Sequence, residues 1–100
     1  MIKNLSSNNF EEEIKGGLKL VVFSASWCGY CQKQKPILEE LDKIWIGVVD
    51  GDKNPELAQK YRITGFPSFI IFRDGKDIDR FSGFHSKFDI MTRLLKFLKN

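Results

Sequence analysis

Trp27-Cys28-Gly29-Tyr30-Cys31 is the stretch on which the reading of this chain turns. It holds both cysteines of a 100-residue chain, and it follows directly on the apolar run Leu18-Lys19-Leu20-Val21-Val22-Phe23. If the chain turns helical at Gly29, the three-residue step brings both thiols to one side of the first turn, within reach of a mutual disulfide. Cys28 then stands at the helix start, where unpaired backbone N–H groups and the positive end of the helix dipole favour a thiolate over a thiol. The thiolate is the attacking species in disulfide exchange, so the position itself confers reactivity. Two other uses of the pair stand beside this one. A static bridge across so short a loop would remove little entropy from the unfolded chain. A zinc site needs about four ligands, and His85 is the one further soft donor in the chain.

Outward from this motif, the sequence reads as strands and helices in alternation. Residues 18–24 are nearly all apolar, as expected of a strand covered on both faces. Ahead of them, residues 2–5 are a short candidate strand. Ser7 or Asn8 then caps a helix with Phe10 and Ile14 on its inner face and Glu11, Glu12 and Glu13 in its early turns. Gly16-Gly17 ends that helix. After the motif, a helix is expected from Gly29 to Lys43, bent at Pro36, which removes one backbone hydrogen bond. Ile37, Leu38 and Leu41 face the sheet. Residues 44–50 form a second buried strand, which completes a parallel strand–helix–strand unit. Asn54 caps a short helix with Pro55 at its first position and Leu57, Ala58 and Tyr61 turned inward. Asp74-Gly75 between 68–73 and 77–82 signals an antiparallel hairpin. A last helix opens on Ser86 and Asp89 as a capping pair, with Phe88, Met91, Leu94, Leu95 and Leu98 along one face and Arg93, Lys96 and Lys99 toward its end.

These elements amount to an α/β sandwich, a central mixed sheet of four to five strands with helices on both faces, expected as one domain over residues 1–100. The cysteine turn falls at the carboxyl end of a central parallel strand, where open α/β sheets bind ligands. Nine phenylalanines and 42% hydrophobic residues are enough for a core at this length. The net charge of +3 is mild and scattered, which gives no footprint for nucleic acid. Lys33 and Lys35 near the cysteines either favour acidic targets slightly or form a solvated helix face, the two readings being about equal. No stretch has the length of a membrane span or a secretory signal, so a cytoplasmic protein is expected. In a reducing compartment, a C-x-x-C pair is a working dithiol more readily than a structural bridge.

The pattern resembles the thioredoxin family over essentially the whole chain. The resemblance is carried by Phe23, Ala25 and Trp27-Cys28-Gly29-x-Cys31, then Pro36, Asp52-x-Asn54-Pro55, Lys60-Tyr61, Gly65-x-Pro67, Phe72-x-x-Gly75 and Gly83. It implies a protein disulfide reductase in which Cys28 attacks a target disulfide and a more buried Cys31 resolves the mixed disulfide, the pair ending as a redox-active disulfide. Trp27, Gly29 and Tyr30 belong to the same motif and surround the thiolate. By the same resemblance Pro67 is a cis-proline facing the cysteines, and the backbone at Phe66 pairs with an extended target segment. Trp27, Tyr30, Phe66 and Phe84 would then form an apolar rim for substrate, while Phe66 and Phe84 as core residues remain the alternative. No cofactor is expected on the chain, which lacks a nucleotide-binding glycine fingerprint. The resemblance places electron supply with NADPH through a separate flavin-containing thioredoxin reductase, and the other partners would be disulfide-containing proteins met by a monomer.

Two departures from the family pattern bear on mechanism. Thioredoxins proper have a buried aspartate at the position of Val22 and a lysine at that of Val48. Losing both together is physically coherent, because an unpaired buried charge is costly. It removes the carboxylate that would take the Cys31 proton, which leaves water or the released Cys28 thiolate. The other departure is Tyr30, where typical thioredoxins have proline. Cys-Gly-Tyr-Cys is similar to the motif of bacterial periplasmic disulfide isomerases, so an oxidant or isomerase of the same fold is a second reading. A non-redox peptide-binding module is a third. His85 is read as a surface histidine with no role.

Overall fold

The two apolar runs on either side of the cysteine helix lie next to each other in the middle of one sheet. In the computed structural model, which describes residues 2–98, the chain runs β1 (Ile2–Leu5), α1 (Phe10–Glu13), β2 (Leu18–Ser24), α2 (Gly29–Glu39), β3 (Ile46–Asp50), α3 (Pro55–Lys60), β4 (Ser68–Arg73), β5 (Lys76–Ser82) and α4 (Lys87–Leu98). The sheet order is β1-β3-β2-β4-β5. β3 lies parallel to both β1 and β2, and β4 runs antiparallel to β2 and to β5. This is the thioredoxin fold, an α/β sandwich in which β2 is flanked on both sides.

Burial follows the two-residue period of β2. Leu20 and Val22 join Ile46, Phe69 and Ile71 against Leu38, Leu41, Ile90 and Leu94 on the α2/α4 side. Val21 and Phe23 point the other way, into a core with Phe10, Ile14, Leu57 and Phe72 on the α1/α3 side. That second core is aromatic: the Phe10 ring meets Tyr61 at 5.4 Å and Phe72 at 5.8 Å, the latter edge-on.

Several element boundaries differ from the sequence reading, each for a local reason. α2 stops at Glu39 rather than Lys43, because the Glu40 and Leu41 amides bond Ile37 and Leu38 carbonyls in a tightened last turn that drops Leu41 into the core. The helix runs through Pro36. β3 begins at Ile46; the Trp45 carbonyl already accepts from Leu20 N at 3.1 Å. α1 is a single turn whose N-cap is Asn9, not Ser7 or Asn8, since the Asn9 side chain accepts from Ser6 N at 2.8 Å and Ser7 N is directed to Asn54 Oδ1. Asn54 sits at the α3 N-cap without capping through its side chain, which instead joins Ser7 to the Asp50 carbonyl.

The inner stripe of α4 is Ile90 and Leu94, with Met91 and Phe97 partly covered. Phe88, Leu95 and Leu98, expected inside, are exposed. Arg93 lies mid-helix, paired with Asp79 at 3.0 Å over the Phe81 ring, and Lys99 lies outside the described residues. The Ser86 hydroxyl accepts from Asp89 N at 3.1 Å, as the capping pair requires. At the hairpin, Asp74 and Gly75 both take positive φ, 52° and 87°, the geometry of a two-residue turn matched to strand twist.

Candidate active site

β2 ends beneath the site, and a turn closed by Cys28 N to the Ala25 carbonyl at 3.2 Å carries the chain up to α2. Cys28 is the N-cap of that helix, with extended backbone (φ −88°, ψ 117°), so its side chain can reach back over the first turn. Its sulfur accepts from Cys31 N at 3.2 Å, and its thiol faces the Phe66 carbonyl at 3.5 Å. The Phe66-Pro67 peptide is cis and lies beside the cysteines at the start of β4. Both cysteines are free thiols.

The burial contrast expected between the two cysteines is absent: Cys28 and Cys31 are each 6% exposed. The Cys28 sulfur lies against the Phe66 carbonyl and the Cys31 amide, with Phe66 packed on the cysteine cluster. Burial, followed by the hydrogen bond with Cys28, pushes the Cys31 thiol above its ordinary value, while the Ser24 hydroxyl and the Ala25 backbone pull it down. Val22 is fully buried and Val48 half-buried on neighbouring strands, paired in register. Together with Ser24, Cys31, Gln34 and Asn4 they line a cleft of about 870 Å³ along the α2 side of the sheet. Glu39 and Asp50 line the same cleft, while the positions of Val22 and Val48 bring no carboxylate to it.

The aromatic residues form a frame around this pair. Trp27 is 69% exposed, stands edge-on to Phe66 at 5.8 Å, and donates from Nε1 to Asp52 Oδ2 at 2.6 Å. Asp52 is itself placed by the turn in which the Asp50 carboxylate accepts from its amide at 2.9 Å. Gly29 and Tyr30 are exposed at the helix start, and the Lys33 ammonium lies 5.8 Å from the Tyr30 ring. Phe66 combines both alternatives: half-buried, it touches the cysteine cluster and the α3-side core together. A Cβ on Gly51 would come within 2.5 Å of the Phe66 ring, so this close approach requires glycine there. Phe84 is 41% exposed, so it is not a core residue, and Gly83 N bonded to the Pro67 carbonyl at 2.9 Å holds it close to the proline.

Sequence reading missed Asp52 as the partner of Trp27, Ser24 beside Cys31, and Gln34. The Asp50-x-Asp52 spacing carries a turn signal that could have suggested the first. Nothing local marks the other two, which are defined by contacts across the fold. Among the described residues no three His, Cys, Asp or Glu side chains converge in a way that could hold a metal ion, and His85 is half-buried, with its ring edge-on to Phe81 at 4.9 Å and Nε2 2.9 Å from the Ser82 carbonyl.

Two thiols one helical turn apart can store two electrons and release them by closing on each other, which makes this a thiol–disulfide oxidoreductase on a thioredoxin fold. Comparison with known proteins gives the family. Residues 1–96 match the family model described as Thioredoxin. Thioredoxin of Staphylococcus haemolyticus is 39% identical, covering 97% of this chain and 98% of the relative, and that of Chlamydia caviae is 39% identical, covering 95% and 96%. The crystal structure of Fasciola hepatica thioredoxin superposes with a TM-score of 0.82 at 34% identity, over 94% of this chain and 97% of the other. The chain belongs to the thioredoxin family, and its activity is that of a protein-disulfide reductase acting by dithiol–disulfide exchange.

Proposed function

We propose that Cys28 is the attacking thiol and Cys31 the resolving one. The observation that carries this is the placement of Cys28 Sγ at the first turn of α2, receiving the Cys31 amide and facing the Phe66 carbonyl. The Cys28 thiolate attacks one sulfur of a target disulfide; a Cys28–target bond forms and the target's other cysteine leaves as a thiolate. Cys31 then gives up its proton and attacks Cys28 Sγ. The Cys28–Cys31 bond forms, the second target cysteine departs reduced, and the two electrons have passed from the dithiol to the target. Burial and the hydrogen bond with Cys28 push the Cys31 thiol up, which disfavours it for the first attack.

The recessed Cys28 implies an extended target segment rather than a bulky surface. Such a segment pairs with backbone at Phe66, beside Pro67, and rests on Trp27, Tyr30, Phe66 and Phe84 as its apolar rim. With valine at 22 and 48, the Cys31 proton leaves through the Ser24 side and the adjoining cleft, or to the target thiolate freed in the first step, since the Cys28 sulfur is bonded to the target at that stage. The dithiol is restored by NADPH through a separate flavin-containing thioredoxin reductase. The protein works as a monomer of one domain, residues 1–100, in the cytoplasm. No described helix is long and apolar enough to cross a membrane.

The test is trapping. Cys31→Ser, incubated with a disulfide-bonded protein such as insulin, is expected to accumulate a mixed disulfide on Cys28 detectable by intact mass. Cys28→Ser is expected to accumulate none. Equal adducts on both variants would show that Cys28 has no privileged role.

A further inference from the structure

Gln34 is a buried polar residue that the chemistry above leaves unused. It lies on α2, one turn beyond Cys31, and is 1% exposed among Cys31, Leu38 and the apolar face of the sheet. An aliphatic residue would suit that position on burial alone, since a side-chain amide without partners is costly to desolvate. Both polar ends of Gln34 are engaged by a single residue across the fold: Nε2 donates to the His85 carbonyl at 2.9 Å, and Oε1 accepts from His85 N at 2.9 Å. The amide thus reads the backbone of one residue as a neighbouring strand would.

His85 follows Phe84 directly. The loop Gly83–His85 is therefore tied at both ends, to Pro67 through the Gly83 amide and to α2 through Gln34. The His85 ring adds a third tie, with Nε2 2.9 Å from the Ser82 carbonyl and its face edge-on to Phe69 and Phe81. Between the two backbone ties stands Phe84, partly exposed and next in sequence to the residue whose amide bonds the Pro67 carbonyl.

We propose that Gln34 is a positioning residue for target recognition: it fixes Phe84 in advance at the rim of the groove, and does so from the helix that carries the resolving thiol. The proposal rests on the reading of Phe84 as part of the target-binding rim. A side chain held in its bound position before the encounter spares the ordering cost on binding, so the effect belongs in KM for protein targets and not in the sulfur chemistry.

The experiment compares Gln34→Met, which keeps the volume and removes both hydrogen bonds, with the wild-type protein. Each is assayed on insulin with dithiothreitol as electron source, and, as the pre-reduced dithiol freed of dithiothreitol and followed over a single turnover, on 5,5′-dithiobis(2-nitrobenzoate), a disulfide too small to span the rim. KM for insulin is expected to rise about three- to tenfold, the cost of ordering one or two side chains. Insulin kcat and the small-disulfide rate are expected to stay within about twofold, and the His85 amide to exchange faster with solvent. An equal fall in both activities would place the effect at Cys31 and overturn the proposal. So would an unchanged KM, whether His85 exchange accelerates or not.

If Gln34→Met does not fold, Gln34→Glu carries the test. Ionised, it lacks the donor; protonated, it regains it, so its KM relative to wild type should be raised on the alkaline side of that carboxyl's own titration, followed by NMR, and fall toward parity on the acid side. A flat ratio would contradict the pin. A wild-type protein that reduces the small disulfide but not insulin would instead defeat the rim reading, and this inference with it.

Discussion

Val22 bears on the second half of the proposed exchange. It is fully buried on β2, its register partner is Val48, and it lines the same cleft as Cys31. Val22→Asp would set a carboxylate near the resolving thiol, and release of a Cys28 mixed disulfide is expected to accelerate in stopped-flow measurements, at the cost of stability from a buried charge lacking its lysine partner. An unchanged release rate would show that proton removal from Cys31 does not limit the step. The Cys31 thiol itself gives a pH signature. Its folded value lies above the ordinary 9.0, so in the reduced protein the folded state holds this proton more tightly than the unfolded chain. That contribution is fully present below pH 9.0 and is lost as pH rises through the raised value. Tyr61, also pushed up by burial, slopes the same way at higher pH. Cys31→Ala isolates the thiol: in reductant, its denaturation midpoint should fall less steeply than wild type's as pH rises past 9, and parallel curves would contradict the assignment.

At the level of elements, the α4 faces were the least legible part of the sequence. Phe88, Met91, Leu94, Leu95 and Leu98 and the set Ile90, Met91, Leu94 and Phe97 are both periodic at helical spacing, and periodicity alone does not choose between stripes about 70° apart that share Met91 and Leu94. The choice is made by what lies beneath: Arg93 is fixed to Asp79 and Phe81, and that rotation points Ile90 and Leu94 at the sheet while Phe88 is left 78% exposed. Ile90→Ala is therefore expected to cost about 2–5 kcal/mol in chemical denaturation, and Phe88→Ser less than about 0.5 kcal/mol. The reverse order would restore the stripe read from sequence. Elements marked by chemistry instead of periodicity were readable: the Asp74-Gly75 turn, Pro55 at the start of α3, and the unbroken apolar runs of β2 and β3. Their ends were not, since Leu41 and Trp45 are placed by tertiary contacts rather than by a local stop signal.

For the molecule as a whole, the fold and the positions of Cys28, Cys31, Phe66 and Pro67 were legible because each has a strong local signature or a family pattern. The pins that hold the site together, Trp27 to Asp52 and Gln34 to His85, join residues 25 and 51 positions apart, and no window of sequence contains them. What these contacts define is a dithiol whose poise depends on small energies, since about 30 mV corresponds to about 1.4 kcal/mol for a two-electron couple. Tyr30 leaves one more backbone N–H at the helix start than a proline would, so Tyr30→Pro is expected to make the pair more reducing. The decisive measurement is equilibration of Cys28 and Cys31 against glutathione buffers, with the reduced fraction read by alkylation and mass. A reductase requires a single two-electron transition at a potential near the cytosolic glutathione range, about −220 to −320 mV; a transition at about −120 to −180 mV, where dedicated oxidants and isomerases lie, or two independent one-thiol transitions, would contradict it.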